Sequence, residues 1–537
     1  MKILRSVLLF FAVLFSALIT SFPLEAFSVF TRPTGDEFAR FRENPTSGRN
    51  TAAHPLGYRP SPLDLSHVRP SASLRGELDI LAAGAGGAPI FPRSFDLREL
   101  GALTPMRDQN PFGTCWAFAS MASLESTFLK AGKGGFDFSE WHLAYFAYVD
   151  EDPSLPAFTA TAPGFGSDPI FDQGGSVFQA AALLARWTGA VAESTRPYQN
   201  TSPWPESSRP RASDRAAKRL ENVFLIQGEG LLDEEAVKYA LMRWGAVSVR
   251  VVWDDGAYSE DHFSYYNAPE SGGGHIVTVV GWDDDFPAAN FVADPGRDGA
   301  WIVRNSWGTG WGEEGYFYLS YAEPTLGYPA VFLGRDDTAF DRIYQYDPLG
   351  WVNSIGAGGE TAWFANIFES RGNETLEAVS FYVPAPDAFL RVEVRTGVAR
   401  DDPGSGELVS VMEDILGPSG YHTVRLPRSI PMSGGERFSV AVRVTTPGFL
   451  NPVPVESREA GYSDKADAAP GQSFISADGV SWTDLTTLSG HEKSNVCLKA
   501  FTSVSSSGGG CSFGGEVGVS GLLLLLPLVP VLWRRKK

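Results

Sequence analysis

The apolar positions of the chain fall into groups with different spacing, and each group predicts a different element. Trp116 to Lys130 is an apolar, helix-forming run closed by Gly132, and Asp36 to Asn44 offers one shorter helix. Ile276-Val277-Thr278-Val279-Val280 is β-branched and reads as a buried strand. After Gly334 the texture changes. From Tyr344 to Thr502 short alternating runs (Leu376 to Val383, Phe389 to Val394, Arg437 to Val444, Val496 to Phe501) are broken by Gly, Pro and Asp. Regular short strands with turn signals predict an antiparallel β-sandwich, and Ser473 to Trp482 reads as a hairpin turning at Asp478-Gly479. Near one end, Lys2 and Arg5 precede the apolar run Val7 to Ile19, followed by Pro23 and Leu24-Glu25-Ala26. This is the pattern of a cleavable signal peptide over 1–26; the run is short for a membrane anchor, which needs about 20 apolar residues. At the other end, residues 503–537 hold a Ser/Gly spacer, Cys511, an apolar stretch from Val517 to Trp533 and the basic tail Arg534-Arg535-Lys536-Lys537. The positive-inside rule keeps such a tail in the cytoplasm and the body outside.

Composition narrows this picture. A chain of 537 residues predicts two to four domains. With 43% hydrophobic residues, including 14 Trp, 17 Tyr and 36 Phe, it can bury sizeable cores. The net charge of −19 argues against nucleic acid and anionic surfaces as partners. Only Cys115, Cys497 and Cys511 are present, so there is no disulfide framework, and an exported fold must stand on packing.

Three segments carry chemistry. Gln109-Asn110-Pro111-Phe112-Gly113-Thr114-Cys115-Trp116 places a thiol at the start of the predicted helix; Gly273-Gly274-His275 opens the β-branched strand; Asn305-Ser306-Trp307-Gly308 follows. A thiol attacks a carbonyl as the thiolate, which a helix N-terminus favours. A neighbouring imidazole completes its activation by taking the proton. Asn305 can hold one ring nitrogen of His275 and fix its tautomer. Gln109 and the Cys115 backbone N–H can supply the donors that a tetrahedral oxyanion needs. These are the parts of a cysteine peptidase, and the mechanism requires no metal or organic cofactor.

With these motifs the chain resembles the papain-like cysteine peptidases from about Phe91 to Tyr321. The resemblance implies an α+β fold with a helical lobe and a β-barrel-like lobe over 91–335, followed by the antiparallel sandwich over 344–502. It implies Cys115 as nucleophile, His275 as base, Asn305 as orienting residue and Gln109 at the oxyanion, with Trp307 over the His–Asn hydrogen bond. It further implies that Gly174-Gly175 binds an extended substrate backbone. Val177, Gly273, Gly274 and Ile276 would line the site, with an apolar preference in the pocket. Two departures stand out. The cysteines that such enzymes commonly pair across this site are Phe112 and Asp172 here, and Gly274 replaces a polar residue before the histidine. His275 and Asn305 lie 160 and 190 residues after Cys115, more than the roughly 130–150 usual in the family; the long loop Glu151 to Pro169 accounts for the excess.

The region 344–502 resembles the lectin-like domain that follows some bacterial peptidases of this type, which implies glycans as possible partners. Trp351, Trp363 and Trp482 are candidate stacking platforms, with a core role favoured, and Cys497 is expected to be buried and inert. The C-terminal region resembles the Synerg-CTERM type of bacterial surface-sorting signal; a plain tail anchor weighs equally, and either makes the membrane a partner. Residues 27–90 are a prosegment or a spacer, with Tyr58 to Leu65 lying along the cleft in the first case and Leu81 to Ala88 as a flexible linker. The run Asp283-Asp284-Asp285 with Asp294 is read as a solvated turn rather than a calcium site. The expected function is therefore a secreted or surface-anchored endopeptidase acting on proteins or peptides. A transpeptidase or amidase using the same site, and a surface adhesin with a vestigial peptidase fold, are the alternatives.

Overall fold

The computed structural model describes residues 29–43, 54–84, 90–159 and 168–504. The signal-peptide run, Cys511 and the C-terminal spacer, apolar stretch and tail lie outside the described residues. Among the described residues no helix is long and apolar enough to cross a membrane.

The helix predicted from Trp116 runs Cys115–Lys130 and is buried from Cys115 to Phe128. Its small side chains allow close packing on both sides, against the helices Glu140–Tyr148 and Val177–Ala185 and against a large sheet. In that sheet Lys218–Leu225, Gly327–Asp336, Val247–Trp253, Gly273–Asp283, Ala300–Arg304 and Tyr316–Ser320 are successive antiparallel neighbours. The expected barrel-like lobe is thus an open sheet. It does not close because its edge strand Lys218–Leu225 pairs onward with Ser419–Met432 of the following region, Ser419 opposite Leu225 and Tyr421 opposite Val223. Gly420 makes this junction possible: its φ is +123°, and a Cβ there would lie 2.0 Å from the Val223 carbonyl oxygen.

The C-terminal region forms two antiparallel layers. One holds Glu407–Leu416, Ala388–Thr396, Arg437–Thr445, Thr361–Glu369 and Ser473–Ser476; the other holds Ser419–Met432, Glu374–Val383 and Leu498–Val504. Phe364, Val392 and Val440 of the first layer share a core with Phe381 and Leu498 of the second. Trp351 is core, with its Nε1–H bonded to Ser354; Trp363 and Trp482 are half-buried against each other. Cys497 is fully buried, and burial drives its thiol well up. The hairpin turns at Gly479 (φ +77°), with Asp478 accepting from the Val480 and Ser481 amides.

The described parts of the N-terminal segment, 29–43 and 54–84, lie over both bodies. Phe30–Thr31 adds a strand to Asn353–Gly356. The helix expected from Asp36 runs Asp36–Glu43 and packs Phe38 on Tyr462. A second helix, Ala72–Gly84, was not foreseen; it buries Leu74 and Leu78, one turn apart, and takes in Leu81 to Gly84 of the expected linker. The acidic turn is ion-paired rather than simply solvated. Asp284 accepts from Lys238 (2.6 Å) and the Tyr321 hydroxyl (2.7 Å), and Asp285 pairs with Arg93. Among the described residues no group of His, Cys, Asp and Glu is arranged to hold a metal ion.

Candidate active site

Cys115 is the first residue of its helix, and the amides of Trp116 and Cys115 itself point toward its sulfur. His275 sits on the strand Gly273–Asp283 opposite Val251, and the amide of the next residue, Ile276, donates to Cys115 Sγ at 3.4 Å. The nucleophile and base candidates therefore meet where the helix N-terminus abuts the strand.

The Asn305 amide fixes the imidazole. Its Oδ1 accepts from the Ser306 backbone N–H (2.8 Å) and lies 2.9 Å from His275 Nε2. A backbone N–H can only donate, so the shared atom is the carbonyl oxygen, and Nε2 must carry the hydrogen. In the neutral ring Nδ1 is then the bare nitrogen, buried and without a hydrogen-bond partner. Trp307 stacks on the imidazole with ring centroids 4.9 Å apart. Gln109 Nε2 donates to Phe112 O (2.9 Å), and its Oε1 accepts from Ser306 Oγ (2.6 Å), so the carboxamide is held at both ends.

The cleft is paved with glycine. Gly174 takes φ +75°, while a Cβ on Gly175 would overlap the Trp116 indole at 2.4 Å. These two positions require glycine for different reasons, one conformational and one steric. The N-terminal segment lies along this paving. Arg59 N–H donates to Gly175 O, Gly175 N–H to Gly57 O, and Tyr58 N–H to Gly274 O, at 2.8, 2.9 and 3.2 Å. The Pro55 carbonyl takes the second hydrogen of Gln109 Nε2 at 2.9 Å. The Gly57 amide of the segment also hydrogen-bonds the Cys115 sulfur. His54 covers the outer face of Trp307, centroids 4.6 Å apart.

Under this cover Cys115 and His275 are fully buried. Burial pushes the thiol up to about 12, against the hydrogen bonds of Ile276, Trp116 and Gly57. Burial also pulls the imidazole down to about 4, against the bond to Asn305. Both groups are neutral near pH 7 in this arrangement.

Residues 91–327 match the papain family of cysteine proteases, and residues 343–502 match the lectin-like domain family. Peptidase 1 of Psoroptes ovis is 30% identical over 260 residues, which is 48% of this chain and 70% of that protein. The chain belongs to the papain family of cysteine proteases. Cathepsin L of Sarcophaga peregrina is 28% identical over 238 residues, 43% of this chain and 59% of that protein. Among solved structures, the cysteine protease and lectin-like domains of Cwp84, a surface layer associated protein of Clostridium difficile, share the fold. That likeness has a TM-score of 0.71 at 23% identity, over 89% of this chain and 98% of that one. Clostridial Cwp84 after propeptide cleavage gives a TM-score of 0.64 at 25% identity, over 77% and 99%.

For a papain-family enzyme the site has features that its sequence did not announce. Phe112 stands where a bridging cysteine was expected and packs on Trp141 and Phe171. Asp172, at the partner position, accepts from the Gly113 N–H (3.0 Å) and the Asp168 N–H (2.9 Å). A hydrogen bond and an aromatic cluster thus tie the loop before Cys115 to the loop before Gly174. Val177 and Ile276 are buried in one apolar cluster with Tyr58, and Gly273 pairs with Trp253 beside it. The pocket above Gly274 is not apolar throughout. Its far end holds Glu37 paired with Arg250, two residues that no motif had marked.

Proposed function

We propose that this chain is an exported cysteine endopeptidase in a latent form, with residues 27–90 as its prosegment. Cys115 as thiolate attacks the scissile carbonyl. Gln109 Nε2 and the Cys115 N–H hold the oxyanion. His275 as imidazolium protonates the leaving amine through Nδ1, then takes a proton from the water that hydrolyses the acyl-enzyme. Asn305 keeps the ring turned for both steps.

The observation that carries this reading is the Pro55 carbonyl on Gln109 Nε2, in a site where the amide next to His275 reaches the Cys115 sulfur and His275 Nδ1 is left bare. A peptide carbonyl already rests on the donor that the mechanism assigns to the oxyanion. Leaving of the segment rehydrates the sulfur and the ring, which removes the largest cause of both pKa displacements and allows the thiolate–imidazolium pair to form. Export is supported by the apolar run behind Lys2 and Arg5, and a cell-surface setting by the similarity to surface-layer-associated Cwp84. The lectin-like region supports glycans as a second class of partner.

Digestion of a peptide library by processed protein, beside a Cys115→Ala control, tests the proposal. Cleavage by the first and none by the second is expected; equal cleavage by both removes Cys115 from the mechanism.

A further inference from the structure

The covering segment puts one large side chain into the cleft. Tyr58 lies over Gly274 so closely that a Cβ there would meet its Cδ1 at 2.4 Å, and the residue is 7% exposed. The Arg250 guanidinium lies 5.6 Å from the centre of its ring. Its hydroxyl donates to Glu37 at 2.6 Å, and Glu37 in turn pairs with Arg250. A second carboxyl, Glu229, accepts from the Tyr328 hydroxyl at 2.9 Å in the same corner. Burial first, and Glu37 next, raise the Glu229 carboxyl.

These groups divide into two sets when the segment leaves. Tyr58 and Glu37 depart with it. Arg250 stays on the strand Val247–Trp253, held by Nη1 to the Thr325 carbonyl at 2.7 Å, and Glu229 and Tyr328 stay beside it. Arg250 Nη2 then lacks its acceptor, and Nε is buried without one already. The vacated pocket has an aromatic-sized body with a cation against the ring position, and a polar end that was built around a phenol hydroxyl.

Resting on the peptidase reading, we infer that Arg250, assisted by Glu229, makes this pocket select a tyrosine side chain from the substrate. Phenylalanine keeps the cation–π contact but turns an apolar edge toward a buried guanidinium and carboxyl. An aliphatic side chain loses the π face as well, and a lysine meets Arg250 as a like charge. The substrate's hydroxyl would accept from Arg250 Nη2, the role that Glu37 fills now, while Glu229, held by the Tyr328 hydroxyl, keeps that corner polar.

The test reads binding rather than turnover. Full-length chain carrying Cys115→Ala is folded intact, nicked between residues 84 and 90 by an added endopeptidase, and freed of the segment. Dissociation constants are then measured for acetylated tripeptide amides that differ only in the side chain offered to the pocket: tyrosine, phenylalanine, cyclohexylalanine or lysine. Tyrosine is expected to bind about tenfold more tightly than phenylalanine, and phenylalanine about threefold more tightly than cyclohexylalanine. Arg250→Met should bring both ratios close to one. Equal binding of tyrosine and phenylalanine, or ratios that survive Arg250→Met, overturns the inference. If Arg250→Met does not fold, the ratios in protein with Arg250 intact decide alone. A Cys115 enzyme that cleaves no peptide, alongside an intact tyrosine ratio, removes the peptidase reading and leaves the pocket's selectivity standing.

Discussion

In the cleft, the N-terminal segment docks by backbone bonds and close glycine contacts as well as side chains; on the sandwich, side chains do most of the holding. Across the cleft, Gly57 passes the loop before Cys115 so closely that a Cβ would lie 2.1 Å from Gly113 O, and Gly113 itself could carry no Cβ, since Leu56 O would be 2.6 Å away. Across the sandwich, apart from the Phe30–Thr31 strand, the hold is dispersed. Arg42 bonds Glu459 at 2.7 Å, His67 stacks on Phe449 and bonds Pro384 O, and Asp387 accepts from Ala72 N–H. Contacts of the first kind tolerate no added atom; those of the second can be lost one at a time. The segment should therefore be released by single changes at the cleft and only by combined changes at the sandwich.

The largest expected effect is chemical. Cys115→Ala should abolish peptide hydrolysis by processed protein, measured against the unsubstituted enzyme, because no other described thiol lies in the cleft. Next comes the steric claim. Gly57→Val in the full chain should raise the alkylation rate of Cys115 about 30-fold, as ~2 kcal/mol of overpacking implies; an unchanged rate would show that the segment approaches less closely than described. Asp172→Ala should lower thermal stability by about 1–3 kcal/mol through the orphaned Gly113 and Asp168 amides, as denaturant titration would show.

Acidification probes the hold on the sandwich. Burial lowers His67, which bonds Pro384 O and stacks on Phe449. A histidine held neutral in this way stabilises the covered form above its ordinary pKa of about 6.5, and that stability is lost as pH falls below it. At the cleft, thiol with neutral imidazole and thiolate with imidazolium carry the same single proton, so uncovering there takes up none. Hydrogen exchange of the amides of residues 54–84, corrected for intrinsic rates, should lose protection between pH 6.5 and 4 relative to the strand Leu498–Val504; equal protection throughout contradicts the assignment. The smallest effect belongs to the sandwich. Arg42→Ala, removing a pair whose arginine is 53% exposed, should change Cys115 alkylation by less than about twofold.

The candidate catalytic set stood out in the sequence because chemistry restricts residue type so severely. A thiol before a helix, an imidazole before a β-branched strand and Asn-Ser-Trp-Gly after it leave few other readings. Strands such as Ala388–Thr396 and Arg437–Thr445 were legible from alternation. The sheet shared by peptidase and sandwich was not, since pairing Val223 with Tyr421 joins positions far apart in the chain and leaves no local pattern. Asp172 was marked only as the place of a missing cysteine, because bonds from a carboxylate to the Gly113 and Asp168 amides leave no sequence pattern. Arg250 escaped because its partner Glu37 comes from a distant helix, and neither residue is part of a motif. The segment was read as spacer or cover because glycine at 57 and 113 signals close approach only once the two strands of chain are seen together.

The central claim is that one thiol is kept neutral by a covering segment and ionises when the segment leaves. Site-resolved mass spectrometry of Cys115 alkylation against pH, in the intact chain and after removal of the segment, measures this directly. The expected result is a thiol in the intact chain that ionises only near pH 12, and one in the processed chain already ionised at neutral pH. Coincident profiles in the two forms would contradict the account.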